Sequence, residues 1–170
     1  PASALVPEVL AELEAKKAVV DMMRMLAVAL PPRERVWWAC LAARDMLTFG
    51  AAESPAIVEA AEAWVYKPDD RNLQLVRRAV EGADPDDATN YCGNAALTWD
   101  GKMGPDDLHG IDAPPGACET YALVMNVHAM VLDPTLPDTR AGLLIERALD
   151  IARGGQGDVE GSGKAAKAGN

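Results

Sequence analysis

The chain has 170 residues, with 26 Asp and Glu against 16 Lys and Arg, a formal net charge of -10. A field of that sign repels phosphate backbones and anionic headgroups, which sets nucleic acid and bare membrane aside as partners. Hydrophobic residues make up 49% and aromatic residues only 5%, a balance that suits one alanine-rich helical domain better than a sheet.

The helical grammar is written in prolines and glycines. Pro7-Glu8 opens a first segment predicted to run to Leu30, with Val9, Leu10, Leu13, Val20 and Met23 near helical spacing. Pro31-Pro32 ends it and starts a second helix, from Arg33 to Phe49, which Gly50 closes. Ser54-Pro55 opens a third through Tyr66. Asp69-Asp70 begins a fourth, ended by Gly82. Asp84-Pro85-Asp86-Asp87 predicts a fifth helix reaching Trp99, with Gly93 inside it. An irregular stretch from Asp100 to Ala113 follows. Pro114-Pro115 opens a sixth helix, apolar nearly all round from Tyr121 to Leu132, and Pro137-Asp138 a seventh that Gly154-Gly155 stops.

No window pairs β-branched alternation with a hairpin turn. The reading is all-α: a single-domain bundle of about seven helices over residues 1–153, then a flexible glycine-rich tail over 154–170. No apolar run approaches the ~20 residues of a membrane span, and the first residues lack the basic start of a secretory signal. Cys40, Cys92 and Cys118 are an odd set without framework spacing, which points to small hydrophobes in a reducing cytoplasm. A transient Cys92–Cys118 bridge is disfavoured.

Catalytic signals are weak. Gly161-Ser162-Gly163-Lys164 lacks the first glycine and the hydroxyl of a phosphate loop, with Asp158 and Ala165 in their places. His109, His128 and the cysteines make no local ligand pair, so neither metal nor cofactor is expected. Ser3, Ser54 and Ser162 sit in a terminus, a helix cap and the tail. Cys118 near a helix start has Glu119 beside it, which opposes thiolate formation. For an enzyme or ligand binder, the polar candidates are Asp106, Asp107, His109 and Asp112 of the irregular stretch.

The most informative run is Arg33 to Arg44. On the helical wheel Val36, Cys40, Ala43 and Leu47 form one apolar arc. Trp37 lies at its edge beside Arg33 and Arg44, and Trp38 is turned about 100° further, toward Glu34 and Asp45. Two neighbouring indoles cannot enter one face. Either the helix is sandwiched between neighbours and both indoles are buried, or one of them, Trp37 with its arginines, forms part of a partner surface while Trp38 enters the core, as aromatic and arginine side chains serve at binding hot spots.

The run Leu30-Pro31-Pro32-Arg33-Glu34-Arg35-Val36-Trp37-Trp38-Ala39-Cys40, followed by Trp64-Val65-Tyr66-Lys67-Pro68, resembles a family of small bacterial proteins of unknown function found near type VI secretion genes. Ala95-Ala96-Leu97-Thr98-Trp99, then Gly101, Met103, Pro105 and the pair Pro114-Pro115, extend the likeness over roughly residues 19–153. Trp-Asp-Gly-Lys-Met stands where the family has a Gly-Gly-Ser-like loop. The resemblance implies a non-enzymatic accessory or adaptor protein in a secretion machine or other large assembly, with no catalytic residues to transfer. The expected partners are other proteins, with Arg33, Trp37, Arg44, Trp99 and Met103 as candidate contacts. A structural subunit of a complex is the remaining alternative.

Overall fold

Proline does what its fixed φ and missing N–H dictate: Pro32, Pro55 and Pro137 are the first residues of three helices in the computed structural model. The structure describes residues 5–133, 135 and 137–159. Eight α-helices are seen among them: α1 (Val6–Ala15), α2 (Val19–Ala29), α3 (Pro32–Thr48), α4 (Pro55–Tyr66), α5 (Asp70–Glu81), α6 (Asn90–Leu97), α7 (Ala117–Met130) and α8 (Pro137–Ala152). A 3-10 turn, Asp106–Gly110, lies between α6 and α7. Among the described residues there is no strand, only an isolated bridge between Lys102 and Asp112.

Three boundaries differ from the sequence expectation. The first helix is two, because Lys17 takes a left-handed φ of 55° and the Ala18 N–H turns back to the Leu13 carbonyl at 2.9 Å. The break frees α2 to lean on α7 and α8. The acidic stretch before α6 is a turn, not a first helical turn. Its carboxylates take backbone N–H groups of their own loop: Asp86 N–H donates to Asp84 at 2.9 Å, and Thr89 N–H to Asp87 at 2.8 Å. The sixth predicted helix starts at Ala117 rather than at the proline pair, behind a left-handed Gly116.

Helix α3 is the hub, packed on α4, α6, α7 and α8. Val36, Trp38, Ala39, Cys40, Ala42 and Ala43 are all fully buried along it, and its alanines let four neighbours come close. Trp38 fills the middle, its indole N–H donating to the Leu144 carbonyl of α8 at 2.9 Å. Gly93 of α6 has a steric reason: a Cβ there would lie 2.4 Å from Val80 and 2.8 Å from Ile57. The helix crosses α4 and α5 too closely for any side chain.

Two arginine clusters tie the hub to its surroundings. Arg35, 5% exposed, donates to the carbonyls of Ala27 and Leu30 at the end of α2 and pairs with Glu119 at 2.8 Å. One guanidinium thus satisfies the orphan carbonyls of a helix end and fastens α3 to α7. At the other end of α3, Asp45 receives Arg147 at 2.8 Å and Arg140 at 3.2 Å, both from α8. Arg140 also lies over the Phe49 ring, 4.9 Å from its centre.

Candidate functional site

The start of α3, the end of α4 and the segment after α8 enclose an open groove of about 260 Å³. Half-buried Trp37 lines it, together with Val65 and Tyr66 from α4 and Gly154 to Gln156 from the segment after α8. The indole N–H of Trp37 donates to the Gln156 carbonyl at 2.9 Å. Tyr66 is 87% exposed, the most open of the large hydrophobic side chains described. Arg33 and Glu34 stand at the rim.

The segment 154–157 is shaped around Asp150. Its carboxylate accepts the Gly157 N–H at 2.8 Å, and its carbonyl accepts the Gly155 N–H at 2.9 Å. Gly157 has φ 77°, is buried, and a Cβ there would sit 2.5 Å from Leu41. The first part of the glycine-rich stretch therefore rests on α3. Residues 160–170, with Gly161-Ser162-Gly163-Lys164, lie outside the described residues.

The expected contact residues fall in separate places. Arg33 and Trp37 line the groove. Arg44 does not stack on Trp37; its guanidinium grips both oxygens of Glu62, one of the groove residues, with Nε at 2.7 Å. The Arg33 Nε donates to the Val65 carbonyl, which ties α3 to the end of α4. Trp99 leans against Trp64 instead, ring centres 5.5 Å apart, and lines a different cavity of about 240 Å³ with Pro32, Arg35 and Cys118. Met103 is exposed in the loop beyond, its N–H bonded to the Ile111 carbonyl. Tyr66 and Gln156 are among the groove residues that sequence reasoning missed, with Glu62, Val65 and Ile151. Tyr66 belongs to the Trp-Val-Tyr-Lys-Pro run, a signal that could have found it; Gln156 carries none.

The polar candidates of the 100–113 loop do not converge. Asp107 meets Arg77 at 2.6 Å, Asp112 meets Lys102 at 2.7 Å, and Asp106 accepts from Gln74 at 3.1 Å. Hydrogen bonds from these partners hold the Asp107 and Asp112 carboxyls below the usual carboxylate range. His109 is open to solvent, 3.6 Å from Asp100. The three aspartates each pin the loop to α5 or to itself. Among the described residues no group of three His, Cys, Asp or Glu side chains is placed to hold a metal.

The cysteines are buried and free. Cys92 faces Cys40, not Cys118, with the sulfurs 3.5 Å apart. Burial pushes the Cys40 thiol well up, and it raises Cys118 against the opposing pull of Arg35. A thiol so placed is a poor nucleophile at neutral pH. His128 stacks near Tyr91, ring centres 5.2 Å apart.

An all-helical bundle with an open aromatic groove is the class defined by these features. The chain belongs to the family described as a family of unknown function (DUF6931), whose model matches residues 9–152. No curated protein and no solved structure matches it. No helix among the described residues is long and apolar enough to cross a membrane.

Proposed function

We propose that this chain is a non-enzymatic accessory protein that binds another protein through the groove between α3, α4 and the 154–157 segment. The observation that carries the reading is Tyr66, exposed at 87% beside half-buried Trp37 and the rim charges of Arg33 and Glu34. Aromatic anchors rimmed by arginine are the composition of binding hot spots, and an exposed tyrosine contributes little to a monomer's stability. The dispersal of Asp106, Asp107 and Asp112 into private ion pairs and hydrogen bonds favours binding over chemistry. With the double-Trp resemblance, the setting proposed is the bacterial cytoplasm and the periphery of a secretion machine or another large assembly.

A photo-reactive phenylalanine analogue at position 66, irradiated in the native cell, tests this. A discrete adduct with a second protein is expected. Absence of any adduct, with the protein folded and abundant, would refute the reading.

A further inference from the structure

A second groove, of about 650 Å³, opens between α1 and α8, away from Trp37. One wall is a stripe of α1 with Leu10, Ala11 and Glu14; the other is a stripe of α8 with Gly142, Ile145 and Glu146. Helix α1 has no buried residue, and it packs mainly on α2. Leu10 is only half-buried and Ala11 is exposed, so this amphipathic helix leaves apolar surface toward the groove.

Gly142 supplies an independent observation. It stands in the interior of a 16-residue helix, where glycine weakens the element relative to alanine. A Cβ there would meet nothing within 4 Å, so no neighbour among the described residues requires the glycine. The absent side chain leaves a notch in the α8 wall, of the kind that lets another backbone approach closely. Charge then selects the occupant. Glu14, Asp138 and Glu146 stand around the groove against one cation, Lys17. None of the four forms an ion pair among the described residues.

We propose that this groove seats an amphipathic helix of another protein, with its apolar side over Gly142 and Lys or Arg residues facing Glu14, Asp138 and Glu146. Helix-in-groove recognition reads apolar anchors at helical spacing, and opposite flanking charges set the partner. A second copy's α1 is a poor occupant, because it would bring Glu8, Glu12 and Glu14 against the same carboxylates. The site is separate from the Trp37 groove, so either can fail without the other.

The test is fluorescence anisotropy of the full 170-residue chain with labelled peptides of about 18 residues, long enough to form a helix when docked. One has Leu at helical spacing with Lys elsewhere, one replaces Lys by Glu, and one scrambles the Leu/Lys order. The patterned Leu/Lys peptide is expected to bind about tenfold more tightly than its scramble. Gly142→Leu fills the notch with a better helix former and should lower that affinity about tenfold without lowering the melting temperature. The Glu14→Lys/Glu146→Lys variant should turn the preference toward the Leu/Glu peptide, about threefold per charge. Equal binding of pattern and scramble would overturn the proposal as general attraction to an acidic chain. Undiminished binding to Gly142→Leu would place the peptide elsewhere. A wild-type dimer that Gly142→Leu dissociates would give the groove to a second copy and refute it equally.

Discussion

The indole N–H of Trp37 bonds to the carbonyl of Gln156 across 119 positions of sequence, at 2.9 Å. That contact joins the double-tryptophan helix to the glycine-rich stretch after α8. Its neighbour Trp38 turns inward to the Leu144 carbonyl and is fully buried. The two adjacent indoles therefore separate two kinds of work. Trp38→Ala should cost about 3–5 kcal/mol, the usual result of a large cavity. Trp37→Phe, which loses one hydrogen bond and little volume, should cost about 1 kcal/mol. Denaturant unfolding checks both; equal large losses would mean that α3 is enclosed on both faces.

Arg35 is predicted to be the most sensitive charged position of α3. Truncation to Ala orphans the α2 carbonyls and leaves Glu119 without its partner, for a cost of about 2–4 kcal/mol. Arg35→Lys keeps the charge but cannot reproduce a planar fork that serves three acceptors, so it should recover only part of the loss. Thermal unfolding of the three proteins orders them as wild type, Lys variant, Ala variant. A Lys variant as stable as wild type would show that charge alone matters there.

How much of this was legible in sequence follows from the range of each signal. Proline and helix-end glycine act within one turn, and so the starts of α3, α4 and α8 could be read directly. The break at Lys17 could not, because a lysine, not a glycine, takes the left-handed conformation. Asp84 to Asp87 misled for a related reason: the same residues that cap helices also close short turns on themselves. The helical wheel separated Trp37 from Trp38, since that depends on one helix alone. Gln156 over Trp37 was hidden, because glycine content reports chain entropy and is silent about the Asp150 carboxylate that organises the turn. Arg44 was assigned to Trp37 by the wheel, yet its partner Glu62 lies on another helix.

Acid should loosen the turn before α6. Burial pushes the Asp87 carboxyl up, but the Thr89 hydroxyl and the N–H groups of Glu53 and Thr89 outweigh it and hold the group below its ordinary value. A carboxyl depressed in the folded state contributes stability that is complete above its unfolded pKa and lost as pH falls through the folded one. The melting temperature should therefore drop as pH goes from about 5 toward about 2. Asp87→Asn should be less stable at pH 7 and show a shallower drop. An unchanged pH profile in the variant would contradict the assignment.

All three thiols are buried, and the native protein should react slowly with a bulky aromatic disulfide reagent. Denaturation should release three equivalents. One rapid equivalent in the native state would revive the reading of Cys118 as a reactive group.

The central claim, that the Trp37–Tyr66 groove binds a protein, is tested most directly by capture from native cells with wild type and Tyr66→Ala, quantified by mass spectrometry. Tyr66 is 87% exposed, and the variant should unfold at the wild-type denaturant midpoint. The account predicts a protein held by wild type and depleted about thirtyfold or more with the variant, the loss of one hot-spot contact. Identical capture by both proteins would contradict it.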